Sequence, residues 1–507
     1  MDETPRRGGC GASPPGLSRR ALLQGAALGA AALAGSRAAR AVAAARVSEY
    51  VPRPNETQYT LAIASASIAP DGGQPVAAVL LNGGFPGPEI RVREGERLRI
   101  VVENQLSGSP TAIHWHGMLV PAGMDGVPDV SNAPIATKQM YVYEYPIRQS
   151  GTYWYHSHFG FQEQLGCYGA LISEPAHEPL KTERDAVVVL GDWLHQSPEE
   201  VFAQLRAGTE AGGVTKRGAA SAEGMKAGTN GASAGGMRMG GGAADLSDVK
   251  YDTFLLNGRA RNSPWTLAVH PGERVRLRLI NGAASTYFRV RLDGHRLQIT
   301  HADGLAVRPV TVDHLLMGMG EVYDAVVQVA GRGSYTLHAV AQDGSGQAIG
   351  VLYSPERAPQ PNQTMPSFDG RTLSYADLQA AAPTTLPEGP VRSFRLPLSG
   401  DMARYVWMIG GQVWPKADPL LIRSGDRVQL DLVNESMMWH PMHLHGHFFR
   451  VLQGAGDHCP LKHTVNVAPQ ETVRIEFTAD NPGNWFFHCH NAYHLEAGMA
   501  REFQYVS

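Results

Sequence analysis

The sequence predicts an all-β protein made of three copies of one β-domain, because three markers recur three times in the same order. The first marker is a Gly-containing turn: Leu-Asn-Gly83, Leu-Asn-Gly258 and Ile-Gly-Gly411. The second is a turn followed by an alternating strand closed by Asn. It reads Gly95-Glu-Arg-Leu-Arg-Ile-Val-Val-Glu-Asn104, Gly272-Glu-Arg-Val-Arg-Leu-Arg-Leu-Ile-Asn281 and Gly425-Asp-Arg-Val-Gln-Leu-Asp-Leu-Val-Asn434. The third is a Gly-x-aromatic-x-x-His strand: Gly151-Thr-Tyr-Trp-Tyr-His156, Gly333-Ser-Tyr-Thr-Leu-His338 and Gly483-Asn-Trp-Phe-Phe-His488. Chance similarity between strands explains one marker, but not three in register. A length of 507 residues suits about three domains.

Taken in order, the chain opens on an address. Ser18-Arg19-Arg20 precedes an Ala/Leu/Gly run that ends near Ala39-Arg40-Ala41. A twin arginine, a modest apolar core and a small-x-small site predict a Tat-type export signal over residues 1–46. Arg37 interrupts the run, which is too short and too weakly apolar for a membrane span. The mature protein is expected to start near residues 42–46, to lose Cys10, and to be periplasmic or secreted. The domains are expected at 47–178, 179–356 and 385–507, with a Pro-rich connector over 357–384. Within the second domain, residues 207–245 are dominated by Gly, Ala and Ser and predict an unstructured insert. Met225, Met237 and Met239 in this insert suit soft capture of Cu(I), or are incidental.

Composition narrows the function. The net charge of −3 comes from 44 basic and 47 acidic side chains with no basic patch, which argues against nucleic acid. Four cysteines do not make a disulfide scaffold, although Cys167 and Cys459 could pair in an oxidising compartment or remain buried thiols. Histidine is the unusual residue. Ten of the 20 fall in four short clusters: His114-Trp-His116, His156-Ser-His158, His440-Pro-Met-His443-Leu-His445-Gly-His447 and His488-Cys-His490. They occupy matching places in the first and third repeats, whereas the middle repeat keeps a lone His338 and reads as a spacer. If the first and third domains meet, eight imidazoles would surround one shared site, enough for three metal ions.

The last stretch carries a different donor set. A strand through Trp485–His490 puts His488 and His490 on one face and Cys489 on the other. His494 and Met499 lie far enough along for the chain to turn back to the cysteine side. A thiolate, imidazoles and a weak thioether suit a blue-copper site better than structural zinc, which takes four strong ligands.

These motifs resemble the four copper-binding motifs of the three-domain multicopper oxidases. The stretches Met124-Asp-Gly-Val-Pro128, Arg148–His158 and Gly160-Phe-Gln-Glu-Gln164 are most similar to the CopA-type copper-resistance and laccase-like branch. The resemblance covers nearly all of the mature chain. It implies cupredoxin-like Greek-key β-sandwich domains and four coppers, one type 1, one type 2 and two type 3. By position, His440, Cys489, His494 and axial Met499 match the type 1 ligands, and His114 and His443 the type 2 ligands. His116, His156 and His490 match one type 3 copper, and His158, His445 and His488 the other, while His447 is not expected to bind metal. Asp125 stands where the family keeps a carboxylate beside the cluster, and is expected to hold or move a proton. As a plain Asp-Gly turn residue it would have no such role. Asn491 and Ala492 stand where some relatives keep a second acid, with Glu496 nearby.

The function so implied is a copper-dependent oxidase coupling four one-electron oxidations of a donor to reduction of O2 to water. Its donors are Cu(I), phenols or both. Met317 and Met319 favour the first, along with the export signal and the CopA-like stretches. A monomer linked to copper resistance is expected. The alternative is a non-catalytic copper-binding or storage protein, which would need neither the cysteine-side wiring nor an O2 site. Three repeats with all four histidine motifs also disfavour a two-domain-type nitrite reductase.

Overall fold

The structure is a computed structural model that describes residues 53–208 and 246–507. The chain divides into two compact units, Met1–Pro54 and Asn55–Ser507. Only Arg53 and Pro54 of the first unit are among the described residues. The export signal, Cys10, Met225, Met237 and Met239 therefore lie outside the described residues.

The second unit is built of strands in six sheets. Residues 56–174 supply two four-stranded sheets, residues 184–353 a seven- and a five-stranded sheet, and residues 391–505 a six- and a five-stranded sheet. The Asn-closed strands Arg97–Asn104, Arg274–Asn281 and Arg427–Asn434 sit centrally in the first sheet of each third. Each has a parallel neighbour, Glu56–Ile68, Arg184–Trp193 or Val391–Asp401. Each also has an antiparallel one, Met140–Pro146, Val322–Gln328 or Thr472–Thr478. Leu98, Ile100 and Val102, like Val428, Leu430 and Leu432, alternate along their strands and are fully buried, as the period-2 pattern requires.

The asparagine that ends each of these strands has a common task. Asn104 donates to the carbonyls of Ser109 and Ile135 while its Oδ1 accepts from Leu106 N–H. Asn281 donates to Thr286 and Met317 carbonyls and accepts from Ala283 N–H. Asn434 donates to Met438 and Val467 carbonyls and accepts from Ser436 N–H. A buried amide thus satisfies backbone groups that the turn would otherwise orphan. In the first and third copies the clamped turn leads into a histidine strand; in the middle copy it leads into the core strand Phe288–Leu292.

One feature differs from the sequence reading, and a second answers an alternative it left open. The segment expected to become irregular at residue 207 is preceded by an α-helix, α1 (Pro198–Ala207), so Ala207 is helical and Gly208 ends it in the left-handed region. Ser197 accepts from Glu200 N–H, Pro198 starts the helix, and Glu199 and Glu200 lie at its positive end. Cys167 and Cys459 do not pair: both are buried free thiols, and Cys459 donates to the Gly456 carbonyl at 3.1 Å. The Pro-rich connector is strapped to the middle third by bridges from Ala380 to Val307 and from Thr372 to His314. Among the described residues no helix is long and apolar enough to cross a membrane.

Candidate metal centre

Two strand pairs carry the histidine motifs. In the first third, His114–His116 pairs with Gly151–His156, setting His114 opposite His156. In the last third, His440–Leu444 pairs with Asn484–Cys489, setting Met442 opposite Cys489 and His443 opposite His488. A second short helix, α2 (Ala492–Glu496), follows at once and carries His494. Asn491, at the place where some relatives keep an acid, caps α2 by accepting from Tyr493 and His494 N–H.

On the cysteine face, Cys489 Sγ lies 3.7 Å from His440 Nδ1 and 3.6 Å from His494 Nδ1, with the two nitrogens 3.2 Å apart. The far nitrogens are held by the protein: His440 Nε2 to Ser436 Oγ at 2.8 Å, and His494 Nε2 to Asp248 Oδ2 at 2.9 Å. Asp248 also accepts from Tyr405 OH at 2.6 Å. Trp407 lies over His494 with ring centroids 4.1 Å apart. Both histidines are 0% exposed. Met499 is buried, and its carbonyl accepts from Cys489 N–H at 3.0 Å.

On the other face the remaining histidines converge. Potential ligand atoms group as His114, His116 and His443; as His116, His156 and His490; and as His158, His445 and His488. In the last group, His488 Nε2 is 3.0 Å from His445 Nε2 and 3.4 Å from His158 Nε2. The far nitrogens again meet acceptors: His443 Nδ1 the His463 carbonyl at 2.8 Å, His488 Nδ1 the Cys489 carbonyl at 2.9 Å, His156 Nδ1 Glu163 Oε2 at 2.7 Å. Such outer contacts fix tautomer and ring orientation in metal sites. His447 differs: its nitrogens meet the His445 carbonyl and Tyr505 OH, and it joins none of these groups.

The donor atoms fit a bound metal. His114 Nε2, His116 Nδ1, His156 Nε2, His443 Nε2 and both nitrogens of His490 are buried without a hydrogen-bond partner. Buried polar atoms are rarely left so. Burial, reinforced by neighbouring imidazoles, holds His116, His158, His443, His445 and His488 well below the ordinary histidine range. These rings are therefore neutral and ready to ligate. Burial pushes the Cys489 thiol up, so a metal is needed to hold it as thiolate.

Asp125 is fully buried between two groups, with Oδ2 3.0 Å from His445 Nδ1 and Oδ1 3.2 Å from His114 Nδ1. Its backbone carbonyl also accepts from His114 Nδ1 at 3.0 Å. Glu163, whose role the sequence did not reveal, is buried against His156, and burial raises its carboxyl to about 7 although His490 and His114 oppose this. A cavity of about 30 Å³, room for one water, reaches His156, His158, His488 and His490 past Glu163 and Glu496. Asp248 was also missed. Its only signal is that sequence complexity returns there, directly after the low-complexity insert. Met317 and Met319 are both 0% exposed core residues and do not support a Cu(I) surface. The middle third is more than a spacer, since Gly320 packs against His116 and His490.

Multicopper oxidase family profiles match residues 62–178, 184–354 and 391–507. A copper resistance protein A homolog from Pseudomonas syringae pv. tomato is 34% identical, covering 88% of this chain and 92% of its own length. The chain belongs to the multicopper oxidases. The multicopper oxidase MmcO of Mycobacterium tuberculosis is 35% identical, covering 86% and 85% of the two chains. Among solved structures, the multicopper oxidase Fet3p, described as functioning in iron import, superposes with a TM-score of 0.75 at 20% identity, covering 89% of this chain and 90% of its own. A laccase from B. aclada follows at 0.72 and 24%, covering 90% and 88%. The protein is thus a copper-dependent oxidoreductase of three consecutive cupredoxin-like domains, and nothing supports the storage alternative.

Proposed function

We propose that this oxidase takes electrons one at a time from Cu(I), and more slowly from small phenols, and delivers four of them to O2 in a role linked to copper resistance. The residues proposed to hold copper are His440, Cys489 and His494, with Met499, for type 1; His114 and His443 for type 2; and His116, His156, His490 and His158, His445, His488 for the type 3 pair. We retain the partition 47–178, 179–356 and 385–507, Tat export to the periplasm, and a monomer as parts of this reading. Copper at the Cys489 triad would accept single electrons, and copper at the histidine groups would pass them to O2, giving water.

The carrying observation is that Cys489 lies one residue from both His488 and His490, whose rings sit in two different histidine groups. The chain itself links the electron-accepting thiol to the O2 site through one peptide unit on either side. Asp125 touches two of the groups and is placed to hold a proton beside His114 and His445. The cavity lined by Glu163 and Glu496 has room for about one water on the other side.

Donor preference follows from the cover. His494 Nε2 is occupied by Asp248, and Tyr405 and Trp407 close the remaining faces, so a bulky phenol has no imidazole edge to touch. A cation drawn to the Asp248 side meets a carboxylate bonded directly to the ligand ring. Relatives named for copper resistance support a copper-linked role. The test is O2 uptake by the copper-loaded mature protein with Cu(I) and with 2,6-dimethoxyphenol. Faster uptake with Cu(I) is expected. Equal or greater efficiency with the phenol overturns the donor assignment, and no uptake with either overturns the function.

A further inference from the structure

The middle third donates no ligand to the histidine groups, yet one of its carboxylates reaches the hydrogen bonds behind them. Asp303 is fully buried. Its Oδ2 accepts from the backbone N–H of His463 at 3.1 Å and of Thr464 at 3.0 Å. Its Oδ1 accepts from Val322 N–H and lies 3.1 Å from Lys462 Nζ. Lys462 is also 0% exposed and bridges to Glu321 Oε1 at 3.1 Å. A carboxylate with four donors at hand in a dry interface has no freedom to turn, so it fixes the backbone of the turn Lys462–Thr464.

That turn holds two rings of the copper site. The His463 carbonyl accepts from His443 Nδ1 at 2.8 Å. Thr464 Oγ1 lies 3.1 Å from His443 Nδ1 and 3.2 Å from His116 Nε2. The two rings stack at 3.8 Å and 14°. Their opposite nitrogens, His443 Nε2 and His116 Nδ1, are the buried atoms without a protein partner. On the far side of His116, Gly320 of the same middle third has φ +82°, and a Cβ there would come within 3.0 Å of His116 Cε1 and 2.9 Å of His490 Cδ2.

From this geometry we infer that Asp303 is a positioning residue for the type 2 copper and the adjoining type 3 copper, acting through the backbone of His463 and Thr464 on the rings of His443 and His116. The inference rests on the ligand assignment proposed above. The middle third thereby sets the aim of two ligands that belong to the other two domains.

The test uses the full-length copper-loaded oxidase and follows the type 2 electron paramagnetic resonance signal during dialysis against a chelator, alongside the visible blue band of the type 1 site. Loss of an outer contact weakens metal affinity about 10–100-fold. Asp303→Asn should lose the type 2 signal at correspondingly lower chelator concentration, with the blue band retained. Glu321→Gln removes a charge from the same Lys462 ammonium without touching the His463 and Thr464 N–H groups that Asp303 holds, and should keep wild-type chelator resistance even if its Tm falls. Thr464→Val, which keeps side-chain shape and loses the hydroxyl, should shift the type 2 hyperfine splitting, and Thr464→Ser should restore it. The Thr464 pair decides the matter should Asp303→Asn fail to fold. Wild-type resistance in Asp303→Asn, or an unshifted hyperfine splitting in Thr464→Val, overturns the inference, as does an equal loss in Glu321→Gln. A wild-type protein that shows neither signal after copper loading would instead strike the ligand assignment itself.

Discussion

Replacing Asp125 by Asn tests the centre at its most connected carboxylate. The carboxylate accepts from His445 Nδ1 through Oδ2 at 3.0 Å, while Oδ1 lies 3.2 Å from His114 Nδ1, whose hydrogen bond goes to the Asp125 carbonyl, with no exposure to water. The amide offers one acceptor and turns an NH2 towards whichever imidazole N–H it abandons. His114 keeps the Asp125 carbonyl, so the amide oxygen will stay with His445. The cost is a charge-assisted bond exchanged for a neutral one, about 1 kcal/mol, plus a buried donor facing a donor, about 1–3 kcal/mol. Taking about 2 kcal/mol, the lower end of that sum, copper affinity at the histidine groups should fall at least roughly 30-fold. Loss of a positioned proton carrier would lower turnover about 100-fold beyond that. Copper content after chelator dialysis reads the first effect. O2 uptake at saturating copper, followed against pH, reads the second. The blue band should survive, since the Cys489 triad makes no contact with Asp125. Unchanged turnover and unchanged copper retention in Asp125→Asn would refute the role assigned to it.

Three other outcomes are expected. Cys489→Ser should abolish the blue band and O2 uptake while the type 2 signal remains, because the serine removes only the thiolate. Asp248→Ala removes the acceptor of His494 Nε2 and of Tyr405 OH; Cu(I) oxidation should fall tenfold or more and the phenol-to-Cu(I) ratio should rise, as steady-state kinetics with both donors would show. The metal-free protein should lose stability as pH falls from about 7 towards 4. Burial holds His463 and His490 at about 4 against an ordinary 6.5. Between those values the unfolded chain takes up protons that the folded one refuses, at a cost on the order of 3 kcal/mol per ring. Glu163, raised to about 7, works the other way, since the folded form holds the extra proton above pH 4.5; being one group against several, it will not reverse the trend in acid-unfolding midpoints.

The frame was legible because its parts are local. Gly95 to Asn104 and its two echoes announce a turn, an alternating strand and a clamp within ten residues, and each clamp closes a turn beside it. The histidines were legible for the same reason, since a His-x-His pair states its own strand geometry. What escaped is contributed from a distance. Asp248 reaches His494 across 246 residues, and Asp303 reaches His463 across 160. A single acidic residue in an unremarkable stretch carries no period and no spacing to read. Helix α1 had its signals, Ser197-Pro198-Glu199-Glu200 with buried Val201 and Leu205 one turn apart, and only its last residue, Ala207, overlaps the low-complexity tract. Met317 and Met319 misled because a thioether looks alike in a metal surface and in a core; only burial distinguishes them.

The unequal accessibility of the two faces has a consequence for how the protein matures. A water-sized cavity is lined by His156, His158, His488 and His490, whereas His440 and His494 are sealed beneath Trp407, Tyr405 and Asp248. The first site has a void at its edge, but the second has a roof. Filling the blue centre therefore waits for the cover to breathe, or happens while the last domain is still closing. Loading should be biphasic, the blue colour developing at a rate set by opening of the roof and insensitive to copper concentration once copper is in excess.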